Sequence, residues 1–280
     1  MRTSAGHGGI ARHGNRKALC THAPSMRRLV LILAAIAGLV VAAPALARSP
    51  GDPIRVVWSE GDLAGMTAIH GPEGGEPIGF VEYHQTRTAD RLSCARIARF
   101  RDGSSDEDSA EAKIGDTLEA ISGRSIIRDK DGSAIVDMRI DVAGGRVQAT
   151  WGPADARQEY DQAVALPPGT YWGPLVFLVL KNFAANAEGS SVVFRTVAPT
   201  PKPMVLDMEL SRAGDAPLDR AGVRIAATTY RLQPTIHWMV DPIVRLIAPR
   251  AIFWMLPGDP PALARFAGPR NYGRQPIVIE

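Results

Sequence analysis

From Val136 to Trp151 apolar and polar residues alternate one for one. Val136, Met138, Ile140 and Val142 are separated by Asp137, Arg139 and Asp141; after Gly144-Gly145, Val147, Ala149 and Trp151 are separated by Gln148 and Thr150. A strand places successive side chains on opposite faces, so this pattern predicts a hairpin with one dry and one wet face. The same period returns at Met204–Leu210, at Val192–Val197 and over Arg224–Leu232. Further hairpins are expected where Gly79–Arg87 and Leu92–Phe100 flank residues 88–91, and where Leu118–Arg128 and Ser133–Val142 flank Asp129-Lys130-Asp131-Gly132. Ala251–Leu256 and Leu263–Ala267 flank residues 257–261, and Ile277–Ile279 can add a last short strand. The expectation is a mainly β chain of roughly ten strands in sequential hairpins, a long antiparallel meander.

Two segments break the period. Leu175-Val176-Phe177-Leu178-Val179-Leu180 is apolar on every side and follows Pro174, which suits a first helical position. A helix without a polar face has to be surrounded by protein. A wide sheet with one dry face must cover that face, so the sheet is expected to curl into a half-open barrel around this helix. The other segment is Ile236–Leu256. It is long enough to span a membrane, but Asp241, Arg245 and Arg250 argue against that, each costing about 2.5–3.5 kcal/mol near a helix centre. Asp241 as N-cap and Pro242 behind it predict instead a short second helix over 242–248, stopped by Pro249.

Residues 26–47 have the three-part form of a secretory signal peptide: Arg27-Arg28, the uncharged run Leu29–Val41, and the small-x-small site Ala45-Leu46-Ala47. The apolar core falls short of the roughly 20 residues of a spanning helix. Met26 is a natural start, and residues 1–25 read as an upstream extension or a long n-region. The expectation is therefore removal of residues 1–47, a single mainly β domain over 48–280, and a periplasmic or secreted location.

This reading changes the charge. The whole chain carries 32 Lys and Arg against 29 Asp and Glu, but residues 1–47 hold six basic and no acidic residues, so 48–280 has 26 against 29. A mildly acidic domain leaves no footprint for nucleic acid. Cys94 becomes the lone cysteine of that domain, expected to be a buried thiol.

No catalytic signature is present: there is no nucleophile elbow, P-loop or dinucleotide fingerprint, and Ser125 in Gly123-Arg124-Ser125 lacks a second glycine. His70, His84 and His237 stand apart at no metal-ligand spacing, so neither a metal nor another cofactor is expected. Asp106-Glu107-Asp108, with Asp102 and Glu111, reads as a solvated acidic loop without the glycine and spacing of a calcium loop. Tyr171, Trp172 and Phe177 flank or enter the apolar helix, as core packing or as the wall of a ligand site. Ile243 and Leu246 share one face of the second helix, with Trp238 and Trp254 nearby. That face either caps the sheet or forms a lid or membrane-touching tip with the two tryptophans as interfacial anchors.

Gly79-Phe80-Val81-Glu82-Tyr83, the Pro168–Pro174 segment before the helix, Ala221-Gly222-Val223 and Phe266-Ala267-Gly268-Pro269 together resemble uncharacterised periplasmic β-meander proteins. They also resemble the half-open barrels of the lipoprotein carriers LolA and LolB. The resemblance covers about residues 75–280 and rests on turn and packing residues. It implies a concave apolar face that shelters acyl chains, and no catalytic residues. The function expected is that of an exported, non-enzymatic envelope protein that binds or shields an apolar ligand such as a lipid, through Tyr171, Trp172, Phe177, Trp238, Ile243, Leu246 and Trp254. The alternatives are a structural or protein-interaction module of the envelope and a hydrolase without a recognisable motif.

Overall fold

In the computed structural model, the structure describes residues 49–59, 61–186, 191–200, 202–220, 222–235, 250–271 and 275–280. Trp238, Ile243, Leu246 and the helix expected over 242–248 lie outside the described residues. Arg48–Glu280 forms one compact unit.

Alternation becomes strand almost throughout. The first run is β1 (Ile54–Arg55), β2 (Leu63–Gly71), β3 (Gly74–Thr88), β4 (Arg91–Phe100), β5 (Ser105–Ile114), β6 (Thr117–Arg128), β7 (Ala134–Asp141), β8 (Arg146–Trp151) and β9 (Gln158–Ala163). Then comes the helix α1 (Leu175–Asn186). The second run is β10 (Ser191–Ala198), β11 (Met204–Asp215), β12 (Leu218–Arg220), β13 (Val223–Ile225), β14 (Thr228–Pro234), β15 (Ala251–Leu256), β16 (Ala262–Pro269) and β17 (Pro276–Ile279). All but β12 and β13 belong to one sheet of 15 strands, and every strand pairing in it is antiparallel.

The strand order is not one continuous meander. It runs β10-β11-β14-β15-β16-β17-β2-β3-β4-β5-β6-β7-β8-β9. The last strand pairs with the first long one, Ile279 opposite Ile69, so the two ends of the domain meet inside the sheet. The sheet's open edges, β9 and β10, flank α1 in the chain. The helix therefore occupies the point where the meander breaks.

Contacts from α1 show how the sheet curls. Phe177 meets Tyr83 of β3 edge-on at 6.0 Å and Phe253 of β15 at 6.2 Å, and Phe183 meets Tyr230 of β14 at 5.8 Å. Four strands lie between β14 and β3 in the sheet, and yet both touch the same 12-residue helix. Leu175, Leu178, Val179, Leu180 and Phe183 are buried. Each such side chain contributes roughly 1.5–3 kcal/mol, and a helix this short is marginal without tertiary packing. The helix is thus a plug that the concave face encloses, as its lack of a polar side requires. Asn182 fastens it: its Oδ1 accepts hydrogen bonds from the Val57 and Trp58 backbone N–H groups at 2.7 and 2.9 Å, and its Nδ2 donates to the Leu178 carbonyl.

The acidic segment is the largest correction to the sequence reading. Residues 105–114 form β5, not a loop. Asp106, Asp108, Ala110, Ala112 and Ile114 lie on the concave face, while Glu107, Glu111 and Lys113 lie on the other. The strand tolerates inward carboxylates because each is paired. Asp108 accepts from Arg96 Nε at 3.1 Å and from Ser125 Oγ at 2.7 Å. Asp106, 3 % exposed, takes both Nε and Nη2 of Arg270 at 3.0 Å.

Candidate functional site

Among the residues expected to form a ligand wall, Tyr171, Trp172 and Phe177 come together on the concave side, and Trp254 does not join them. The Tyr171 hydroxyl donates to the Leu118 carbonyl and accepts from the Ile54 N–H at 2.9 Å, tying β1 to β6. The Trp172 indole donates to the Ser109 carbonyl at 3.3 Å, and its ring presses on Gly123, where an added Cβ would come within 2.3 Å of it. With Tyr171 at 0 % and Trp172 at 4 % exposure, the surfaces of both are taken up by protein. Phe177 is half-buried against the core. Trp254 alternates with the buried Phe253 and Met255, so it sits on the convex face, beneath the Arg265 guanidinium at 5.2 Å.

The concave face ends in a smaller apolar cluster, separate from the core around α1. It contains Ile69, Val81, Ala98, Ile277 and Ile279, with Phe100 and Phe266 packed against it. Arg270 covers it, its guanidinium carbon 3.4 Å from the centre of the Phe100 ring. Against this end lies a cleft of about 650 Å³, lined by the β2–β3 turn, the β4–β5 turn and the segments either side of the β16–β17 connection. That volume is within the range of small-molecule sites, which favour barrel mouths. Pro72, Ile78, Phe100, Pro276 and Ile277 supply apolar lining, and Arg101, Asp102 and Arg270 supply charge.

A second cleft of about 490 Å³ shares Pro77, Phe100 and Arg101 with the first and continues over Met66, Ala68 and Phe80 on the convex side. Met66 is 71 % exposed, and Phe80 and Ile78 are each more than one-third exposed. These three break the polar habit of the wet face. They are where a sequence reading could have found the site, because an apolar residue out of phase in an alternating strand is the available signal.

The cations of the clefts differ in their commitments. Arg270 is held by Asp106 and also donates to Ser104 Oγ at 2.9 Å. Arg99 donates to Glu82 at 2.7 Å and leans over the Phe80 ring at 6.0 Å. Among the described residues Arg101 has a long pair with Glu76, 3.8 Å apart, with its side chain 66 % exposed and that of Glu76 89 %. Asp102 is engaged by the Ser104 backbone N–H at 3.0 Å.

Among the described residues, the buried titratable groups away from the clefts are protonated or ion-paired. Burial pushes the Cys94 thiol up to about 12, so it remains a thiol at neutral pH, beside the Ala110 carbonyl. Burial by itself would lower the Arg96 guanidinium, but the charge and hydrogen bond of Asp108, with Asp106 farther off, outweigh it and hold the group above its ordinary value. Ser125 donates to the same Asp108, so the carboxylate next to it is already neutralised. His84 stands 3.6 Å from Glu82 on the convex face, and His70 Nδ1 is 2.8 Å from the Gly75 carbonyl. Among the described residues, no group of His, Cys, Asp or Glu is arranged to hold a metal ion.

No family model matches the chain, and no curated protein matches it. A solved structure, the beta-barrel-like protein of domain of unknown function DUF1849 from Brucella abortus, aligns with 79 % of this chain and 97 % of its own at 11 % identity and a TM-score of 0.42. The strand pairing makes the fold a mainly antiparallel, barrel-like sheet, open between β9 and β10.

Proposed function

We propose that the protein is an exported, non-enzymatic binding protein of the cell envelope, and that the mouth of the curled sheet holds an apolar ligand such as a lipid. The observation that carries this reading is the joined pair of clefts, in which Met66, Ile78 and Phe80 stay exposed beside the apolar cluster of Phe100 and Ile277. The signal-peptide pattern supports the location, and the resemblance to the lipoprotein carriers supports the ligand class. The pairing of the buried carboxylates Asp106 and Asp108 with Arg270 and Arg96 supports a binding role over a chemical one.

Extraction and mass spectrometry of protein purified from its native compartment test the reading. Co-purifying lipid at near-stoichiometric amount is the expected result, reduced by Ile78→Ser with Met66→Ser. A stoichiometric partner protein and no lipid would replace this reading with the interaction module.

A second reading keeps the ligand on the concave side against Tyr171, Trp172 and Phe177, without Trp254, which faces the other side of the sheet. The partial burial of Phe177, beside the buried Tyr171 and Trp172, favours it. Lipid lost in Phe177→Ala but kept in the Ile78/Met66 variant is its distinguishing result.

A further inference from the structure

We propose that the ligand of the joined clefts is a single-chain anionic amphiphile whose carboxylate pairs with Arg101 while its tail lies along Ile78, Phe80 and Met66. The inference rests on the apolar-ligand reading above and adds the head group.

Arg101 lines both clefts and so stands where they meet. Its backbone is fixed by a 2.8 Å hydrogen bond from its N–H to the Ile78 carbonyl, which holds the cation at one end of the apolar row. Its pair with Glu76 is 3.8 Å long and solvated on both sides, beyond hydrogen-bond length. Such a pair adds little and is readily exchanged. A ligand carboxylate can instead meet the planar guanidinium with two charge-assisted hydrogen bonds. Arg99 and Arg270 add to the positive field but are bound to Glu82 and Asp106, so neither is as available. Asp102 also lines the larger cleft and is engaged by the Ser104 backbone N–H. A cationic head at the junction would face Arg101 directly, and a neutral head would gain nothing from it.

Titration calorimetry with dodecanoate and dodecyltrimethylammonium, both below micelle formation, tests the inference on the purified protein. The tails are identical and only the head changes. Dodecanoate should bind roughly tenfold more tightly or better, the ratio that one charge-assisted hydrogen bond supplies, and added salt should erode the difference. Arg101→Gln should bring the two affinities together, Arg101→Lys should keep part of the preference, and Glu76→Gln should tighten dodecanoate by freeing Arg101. Equal binding of both heads, or a preference unmoved in Arg101→Gln and Glu76→Gln, overturns the head-group assignment and leaves the apolar reading in place. Failure of both compounds to bind overturns both readings.

Discussion

Replacing Asp106 by alanine should cost the fold about 3–5 kcal/mol, the usual penalty for removing one partner of a buried pair. The size follows from what is left behind. Both side chains are nearly inaccessible, at 5 % for Asp106 and 9 % for Arg270. The carboxylate accepts from two Arg270 nitrogens at 3.0 Å and from Asn271 Nδ2 at 3.3 Å. Without it, Arg270 keeps its stacking on Phe100 and one hydrogen bond to Ser104, and its charge is uncompensated. The pair also spans the curl, since β16 and β5 are separated in the sheet by β17, β2, β3 and β4. For a domain of this size the loss corresponds to roughly 6–20 °C in Tm. Urea unfolding with the slope checked against wild type is the assay. Asp106→Leu with Arg270→Leu should recover most of the loss, because two apolar side chains leave no stranded charge. A cost below about 1 kcal/mol in Asp106→Ala, the range of surface pairs, or a double variant as unstable as the sum of the singles, would refute the reasoning.

Three further outcomes are expected. Cys94, whose thiol is raised to about 12 by burial, should react with a thiol reagent only at the rate of unfolding, and rapid labelling of native protein would contradict its placement. Ala89→Gly should stabilise the β3–β4 hairpin by about 0.5–1 kcal/mol in urea unfolding, since Ala89 holds a φ of 55° that costs L-residues roughly 1–2 kcal/mol, less the entropy glycine adds to the unfolded chain. The Asp161 carboxyl, lowered to about 2 by hydrogen bonds from Arg146 and then Gln148, favours the fold above its unfolded value near 3.9 and loses that contribution as pH falls towards 2. Its carboxyl NMR titration should move up towards the ordinary range in Arg146→Gln, and an unchanged midpoint would count against the pair.

Much of the architecture was legible because alternation reports a local fact: each second residue faces the core. Ala251–Leu256 is a strand with the bounds its pattern implies, and the β7–β8 hairpin pairs Val136 with Trp151 as its spacing predicts. The six-residue apolar run at Leu175 broke that alternation and, having no polar face, announced a surrounded helix. Strand β5 was hidden because a run of acids looks solvated unless its partners are known. Arg96 is one strand away, and Arg270 lies more than 160 residues along the chain. The candidate site was hidden more deeply. Met66 and Phe80 were visible as apolar residues on wet strands, but Arg101 meets them only through the β2–β3–β4 register, and Ile277 only because β17 joins β2. The alternation and the apolar run that interrupts it determined the fold class, the enclosed helix and the buried thiol. The place where the meander breaks, the pairing of buried charges and the cleft at the barrel mouth were decided by tertiary structure, because periodicity records which face a side chain takes and carries no record of which distant strand will lie beside it.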